Sequence, residues 1–238
     1  MAWFRRARLC LLPGATPDCD GLELVQRIQF LGEMGGDYYD YVPFDDGRLG
    51  IVCGDVMGKG LAAALIMAMA RSLLHNAVGS GKGAGEILAE VNDGLTRDLE
   101  GQRLPYFLTL ALAVYDPRER TITIAGGGHN PALIVGCDGL REVPSRGAAL
   151  GVRSRLEFAE DGIAALPGDL VALYTDGLTE ARDPHGRLYG LERLKTALAG
   201  YQNLATPETL RAVWDDVAAF RSGTPPSDDA TILLVRFR

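Results

Sequence analysis

The chain has 238 residues, of which 47% are hydrophobic and 23% charged, a size and composition that suit one large globular domain. Its formal charge is −7, and apart from Arg5, Arg6 and Arg8 the basic residues are scattered, which argues against a nucleic-acid partner. No run approaches the roughly 18 consecutive apolar residues that span a bilayer, so no membrane partner is expected either.

In chain order, the basic, amphipathic residues 1–12 predict a helical stump, and residues 1–19 as a whole are assigned to a stump or linker. One domain is predicted over residues 20–238, with a sensor domain or coiled linker expected ahead of residue 1. The predicted strands cover residues 22–30, 37–44, 48–55, 107–115, 121–125, 132–135, 140–143, 170–175 and 231–237. The predicted helices cover residues 59–75, 86–99, 191–199 and 207–222.

Most of these strands are joined by short turns rather than by helices. Hairpins of this kind build antiparallel sheets, whereas strand–helix–strand units build parallel ones. The sequence therefore predicts an α+β fold with mainly antiparallel sheets and with helices on their outer faces, which excludes a Rossmann fold or a (β/α) barrel.

Two aspartates occupy matching positions in the first predicted hairpin. If its loop is Asp45–Gly47, counting outward along both strands places Asp37 directly opposite Asp55. Opposed side chains on one face of a sheet have Cβ atoms about 4.5–5.5 Å apart, where two like charges destabilise the sheet. The pair therefore favours a cation between the carboxylates. The alternatives are two solvated strand-end aspartates or a register that is slipped by one residue.

Further aspartates lie where other strands meet loops. Asp176 follows the apolar run LVALYT, and Asp228 with Asp229 precedes the run ATILLV. Antiparallel pairing of those two strands would bring all three carboxylates close together. With the first pair they form an oxygen-rich set that suits Mg²⁺ or Mn²⁺. A turn role is the ordinary alternative for each aspartate taken singly.

Three other signals near these positions carry less weight. His129 stands between glycine and asparagine, a setting more typical of a hydrogen bond that stabilises a turn than of a proton donor. The segment GDVMGKG differs from a phosphate-binding P-loop in spacing and lacks its Ser or Thr. Lys59 within it is interpreted as a solvated turn lysine, with contact to a substrate phosphate as the alternative. The four cysteines show no CxxC spacing and no secretory signal precedes them, which predicts reduced thiols and a cytoplasmic location.

Five ordered motifs resemble the metal-dependent protein phosphatase (PPM) family in its SpoIIE/RsbU branch. They are GEMGGDYYDY (32–41), GDVMGKGLAAALIMAMAR (54–71), AGGGHNPALI (125–134), LYTDGLTEARD (173–183) and SDDATILLV (227–235). The resemblance covers roughly residues 20–238. It implies a four-layer α-β-β-α sandwich of two antiparallel sheets with a centre of two Mn²⁺ or Mg²⁺ ions at one end.

The resemblance also implies a set of metal ligands. Asp37, Asp55, Asp176 and Asp228 match carboxylate ligands of the family, with Asp55 bridging the two metals, and the backbone carbonyl of Val56 matches a further ligand. Asp229 is the less favoured of the adjacent aspartates, because the ligand of the family stands three residues before the threonine, here Thr231. The arginine that grips phosphate in eukaryotic members has no evident counterpart.

The function implied is a phosphoserine/phosphothreonine protein phosphatase in which metal-activated water attacks the phosphoryl group. A phosphorylated anti-anti-sigma (STAS) protein is the substrate expected from this branch, with an upstream sensor or activator as a second partner. A homodimer is left open. The rival hypothesis is a catalytically silent module of the same fold that only binds such a partner. The retention of all four metal-site aspartates argues against this rival.

Overall fold

The computed structural model describes residues 11–32, 35–79, 81–100 and 106–238. Within them the chain forms ten strands and five helices. The strands are β1 (Leu22–Gln29), β2 (Asp37–Pro43), β3 (Leu49–Val56), β4 (Leu108–Asp116), β5 (Thr121–Gly127), β6 (Ala132–Gly136), β7 (Gly139–Val143), β8 (Glu160–Ala164), β9 (Leu170–Tyr174) and β10 (Ala230–Phe237). The helices are α1 (Leu61–Ala77), α2 (Ala84–Leu99), α3 (Asp176–Thr179), α4 (Leu191–Tyr201) and α5 (Thr206–Arg221).

The strands form two five-stranded sheets in which every described pairing of strands is antiparallel. The first sheet has the order β1-β10-β9-β6-β7, and the second has the order β2-β3-β4-β5-β8. Hairpins supply β2–β3, β4–β5 and β6–β7, so sequence neighbours are also neighbours in space. The prediction of mainly antiparallel sheets is confirmed.

Three apolar clusters define four layers. One lies between the second sheet and the helices α1 and α2, and includes Met67 and Leu88. The next lies between the two sheets, and the last lies between the first sheet and the helices α4 and α5. Because each sheet buries both faces, nearly all residues of its inner strands are apolar. The predicted four-layer α-β-β-α sandwich is confirmed.

Strand β2 shows how alternation assigns side chains to layers. Tyr38 and Val42 point to the helix layer, whereas Tyr39 and Tyr41 point into the core between the sheets. Asp40 shares the helix-facing side and is only 1% exposed. A buried carboxylate at that position requires hydrogen-bond donors from the layer above it.

Helix α1 and strand β2 supply those donors. Asp40 Oδ2 lies 3.0 Å from Arg71 Nε and 2.7 Å from His75 Nε2, and it accepts a 2.6 Å hydrogen bond from the Tyr38 hydroxyl. These polar contacts add to the apolar packing of α1 on the second sheet. They fix the helix at one position along β2, which apolar packing alone specifies less sharply.

The Asp40→Ala substitution is expected to lower the free energy of unfolding by about 1–3 kcal/mol, because it removes the carboxylate that accepts the Tyr38 hydroxyl and lies against Arg71 and His75. Arg71 and His75 are about one-third exposed and can be rehydrated, so the cost stays below the roughly 3–5 kcal/mol of a fully buried broken pair. Urea denaturation measures the difference. Asp45→Ala, in the exposed turn of the same hairpin, is the control and should change stability by no more than about 0.5 kcal/mol.

The element boundaries differ from the sequence predictions by about one or two residues, and two short elements were not predicted. Strand β8 has mostly exposed side chains and contains a glycine, so it lacks the apolar alternation of an inner strand. Helix α3 is a single turn, too short for a helical period to be visible. Most of the helix predicted over residues 1–12 lies outside the described residues. The boundary between residues 19 and 20 stays a prediction.

Cys19, Cys53 and Cys137 are free thiols, and Cys10 lies outside the described residues. None of the described helices has both the length and the hydropathy that crossing a bilayer requires.

Candidate metal centre

The hairpin β2–β3 places two carboxylates opposite each other. Phe44 and Arg48 close the turn, with the Phe44 N–H donating to the Arg48 carbonyl at 2.9 Å. Counting from that pair, Asp37 is the register partner of Asp55. The register predicted from the turn is confirmed, and with it the juxtaposition of the two aspartates at the open end of the hairpin.

The other sheet brings its aspartates to the same end of the sandwich. Strands β9 and β10 pair with Tyr174 opposite Ile232, so Asp176 begins α3 just beyond the end of β9 while Asp228 and Asp229 precede β10. The two sheets are joined here by Asp37 Oδ2, which accepts hydrogen bonds from the Thr175 hydroxyl at 2.8 Å and the Thr231 hydroxyl at 2.5 Å. Carboxylates from both sheets therefore meet at one edge.

Asp37 is the most deeply placed of these groups, with 1% of its surface exposed. Burial raises its pKa well above the usual range, the Thr231 and Thr175 hydrogen bonds oppose that rise, and the charges of Asp55 and Asp229 add to it. The threonine hydroxyls thus hold the carboxylate in place. The unfavourable interactions of its charge come from burial and from neighbouring acids.

Asp55 lies closer to solvent and experiences the charges of the other acids. Its pKa is raised to about 7 by burial first, and then by Asp176, Asp228 and Asp229, while Lys59 lowers it. The pKa of Asp176 is also raised, by burial and then by the charges of Glu180 and Asp228. A bound cation would stabilise carboxylates that repel one another in this way.

The carbonyl of Val56 and the carboxylate of Asp55 face the same glycine. A Cβ atom at Gly36 would lie 2.5 Å from Val56 O and 2.8 Å from Asp55 Oδ1, closer than real Cβ atoms approach either atom. Glycine is therefore required for the loop to pass over these two oxygens. Any side chain at that position would displace the loop or the oxygens.

Asp229 holds the loop that leads into β2. Its Oδ1 accepts a hydrogen bond from Leu31 N at 2.7 Å and its Oδ2 accepts one from Gly36 N at 3.0 Å. A Cβ at Gly35 would lie 1.9 Å from Asp229 Oδ2. Asp229 thus positions the segment before Asp37, a role that the sequence reasoning missed, although the Gly35-Gly36 pair was a signal of close backbone approach.

Asp228 is half exposed and has two partners. Its Oδ1 lies 3.1 Å from the Lys59 ammonium and accepts a 2.9 Å hydrogen bond from the Asp229 N–H. The Lys59 ammonium also donates to the carbonyl of Ser227 at 2.8 Å. Lys59 therefore contacts the site while 53% of its side chain remains exposed to solvent, so the lysine predicted to be solvated also has partners in the site.

His129 lies beneath the site and has the surroundings of a structural residue. Its Nδ1 is 2.9 Å from the Thr109 hydroxyl, and Thr109 is the β4 register partner of Asp55. Burial lowers the pKa of His129 to about 4, partly opposed by the Tyr174 carbonyl. The ring is neutral at pH 7 and holds no imidazolium proton to donate, in line with the hydrogen-bonding role predicted for it.

The chemistry of this donor set fits a hard divalent cation. All of the side-chain donors are carboxylate oxygens, and a main-chain carbonyl stands beside them. Within the described ranges, however, no three His, Cys, Asp or Glu side chains converge closely enough to hold an ion. Asp37 Oδ2, Asp228 Oδ1 and both oxygens of Asp229 are engaged by hydroxyl, ammonium or amide donors. Ligation would use the remaining oxygens of Asp37 and Asp228 and would need the carboxylates to come closer together.

Solved structures share this fold. The SiaA-PP2C domain of Pseudomonas aeruginosa superposes with a TM-score of 0.83 at 24% identity, covering 100% of this chain and 96% of that one. The structure of RsbX in complex with magnesium superposes with a TM-score of 0.70 at 15% identity, covering 93% of this chain and 98% of that one.

The family follows from the sequence comparison. Residues 45–238 match the family model described as Stage II sporulation protein E (SpoIIE), and the chain belongs to that family. Protein IcfG of Synechocystis is 28% identical over 97% of this chain and 40% of its own length. Phosphoserine phosphatase RsbU of Bacillus subtilis is 24% identical over 86% of this chain and 60% of its own length. The chain thus spans about half the length of these curated relatives.

Proposed function

We propose that this chain is a metal-dependent phosphoserine/phosphothreonine protein phosphatase. The observation that carries the proposal is the meeting of Asp37 and Asp55 from one sheet with Asp176 and Asp228 from the other, at one edge, with mutual repulsion felt at Asp55. A phosphate dianion would be repelled by such a set unless cations reversed the local charge. The relatives named phosphoserine phosphatases support the same reaction.

Two Mn²⁺ or Mg²⁺ ions are the cofactors proposed, held by Asp37, Asp55, Asp176, Asp228 and the carbonyl of Val56. Bound there, such ions would activate a water molecule and neutralise the phosphoryl oxygens. RsbX, which shares the fold, was solved with magnesium. Asp229 is not proposed as a ligand, because both of its carboxylate oxygens already accept main-chain hydrogen bonds.

The other residues of the site orient the ligands. Thr175 and Thr231 fix the carboxylate of Asp37 from the opposite sheet, which holds the two sheets together at the reacting edge. Asp229 holds the loop before Asp37, and Gly36 leaves the Asp55 and Val56 oxygens accessible to a ligand. Such positioning, together with charge neutralisation, provides most of the catalysis in phosphoryl transfer.

A protein nucleophile is not part of this proposal. Cys53 lies in the same strand as Asp55, but it is fully buried between the sheets, and burial raises the pKa of its thiol well above the usual value. A buried, protonated thiol does not attack phosphorus. His129 is neutral and bonded to Thr109.

The substrate proposed is a phosphorylated protein of the STAS anti-anti-sigma type, with an upstream sensor or activator as a further partner and a cytoplasmic location. The relatives RsbU and RsbP of Bacillus subtilis, both named phosphoserine phosphatases, support a phosphoserine substrate. The chain spans 60% and 40% of their respective lengths, so the substrate and the partners of the whole protein are part of this proposal.

The test is a phosphatase assay with an aryl phosphate and a phosphoserine protein, with and without Mn²⁺. Hydrolysis is expected only with added metal and should stop on chelation, because the uncompensated carboxylates repel the substrate. Cys53→Ala is the control and should retain turnover. Turnover that persists after exhaustive chelation would contradict the mechanism, and Mn²⁺ binding without any hydrolysis would favour the silent partner-binding module.

A further inference from the structure

Lys59 occupies an unusual position between strand β3 and helix α1. It is flanked by Gly58 and Gly60, whose φ angles are 97° and 80°, so the chain turns on both sides of it before the helix begins at Leu61. Glycine adopts such angles at little cost, which lets the loop aim the lysine stem across the site. The ammonium reaches the segment before β10, far away in the sequence.

The Lys59 ammonium contacts two oxygen atoms. It lies 3.1 Å from Asp228 Oδ1 and 2.8 Å from the Ser227 carbonyl oxygen. Among the residues that the structure describes, no other ion pair involves an aspartate of the candidate centre. Asp228 is also accessible to solvent, with 48% of its side chain exposed.

We infer that Lys59 is a built-in counter-cation of Asp228 that competes with a divalent metal ion for that carboxylate. The inference rests on the proposed function, because it concerns the same site. The ammonium lies against Asp228 Oδ1, where it would repel a metal ion bound by the same carboxylate, so the two cations compete for Asp228. Both side chains are about half exposed, which makes the pair weak and the competition modest.

The consequence is a metal affinity lower than the carboxylates alone would provide. Lys59→Met removes the competing charge but keeps a stem of similar length. Exposed ion pairs have strengths that correspond to roughly a two- to fivefold change in an equilibrium constant, so Mn²⁺ should bind this variant more tightly by about that factor. Lys59→Arg keeps the charge and should bind Mn²⁺ no more tightly than the parent.

Calorimetric titration with Mn²⁺ measures this affinity without any need for turnover. Lys82→Met is the matched control, since the Lys82 ammonium also contacts one carboxylate, both oxygens of Glu90 at 2.8 Å, and one carbonyl oxygen, of Ala77 at 3.0 Å, but it lies on another loop. This control should leave the affinity unchanged. Thermal melts without metal establish that each variant is folded.

A double-mutant cycle separates a direct contact from a general effect of charge. In the Asp228→Asn background, Lys59→Met should produce little or no further change in Mn²⁺ affinity, because the carboxylate for which Lys59 competes is gone. If Lys59→Met binds Mn²⁺ no more tightly than the parent, or if it tightens Mn²⁺ binding equally in the parent and Asp228→Asn backgrounds, this inference is wrong while the proposed function stands. If no protein in the set binds Mn²⁺, the proposed metal centre fails, and this inference fails with it.

Discussion

Replacing either Asp176 or Asp228 by asparagine is expected to lower metal-dependent turnover by roughly 100-fold or more, while the fold is retained. Mutating a residue that only hydrogen-bonds to a metal ligand commonly lowers metal affinity or activity 10–100-fold. Removing a ligand itself should therefore lower turnover at least as much. Both side chains lie at strand ends and are at least partly exposed, so neither substitution disturbs an apolar core. Steady-state kinetics with saturating Mn²⁺, together with far-ultraviolet circular dichroism, measures the two effects separately.

His129→Ala is the contrasting variant in the same experiment and should cost less than about tenfold in turnover. Its ring is neutral and buried, with Nδ1 bonded to Thr109, so its loss should appear mainly as a lower melting temperature. Asp138→Asn, in the turn between β6 and β7, is a matched control for the change from carboxylate to amide and should behave as the parent. An inactive histidine variant beside active Asp176 and Asp228 variants would reverse these role assignments.

Asp55→Asn is expected to abolish most of the Mn²⁺-induced rise in melting temperature. A ligand that binds only the folded chain adds about 2.7 kcal/mol at a hundredfold excess over Kd, or about 5–10 °C for a chain of this size. Asp55 faces Asp37 across the hairpin, and its replacement removes both a proposed ligand and a repelling charge. Differential scanning calorimetry with and without Mn²⁺ measures both consequences.

Without metal, the same substitution should raise the melting temperature slightly at pH 8 and less at pH 5. The folded pKa of Asp55 is raised to about 7, above the ordinary value for an aspartate, so the penalty is absent below about pH 4. It grows as the pH rises towards 7 and is complete above that value. Asp45→Asn, at the other end of the same hairpin, is the control. A variant that melts well below the metal-free parent at pH 8, or that responds fully to Mn²⁺, would contradict the assignment.

The register of the first hairpin shows how far local sequence information reaches. The turn Asp45–Gly47 sets which residues pair, and the period of two along each strand then places Asp37 opposite Asp55 without reference to the rest of the chain. The antiparallel sheets and their helical cover could be predicted for the same reason, since short turns and apolar runs are local features. Strand β8 could not, because exposed side chains give an edge strand no apolar pattern.

The roles of individual site residues could not be predicted from the sequence, because they depend on contacts between segments that are far apart in the chain. The sequence indicated that Asp228 and Asp229 belong near Asp176, but their different roles depend on what surrounds each one. The Leu31 and Gly36 amides reach Asp229, whereas the Lys59 ammonium reaches Asp228. Both residues precede β10, so no strand periodicity could assign their partners, and the fold decides which segment meets each side chain.

By itself, the sequence determined the family from the order of its motifs, and the antiparallel sheets and the opposed Asp37 and Asp55 from turn positions and side-chain period, because these features are local and can be counted. The two-sheet sandwich followed from the family resemblance. Only the tertiary structure decided the partners of the acidic residues. It joined Asp37 to Thr175 and Thr231 of the opposite sheet, and it brought Lys59 to Asp228. Hydrogen bonds and ion pairs act over a few ångströms in space, and separation along the chain does not reveal which groups come within that range.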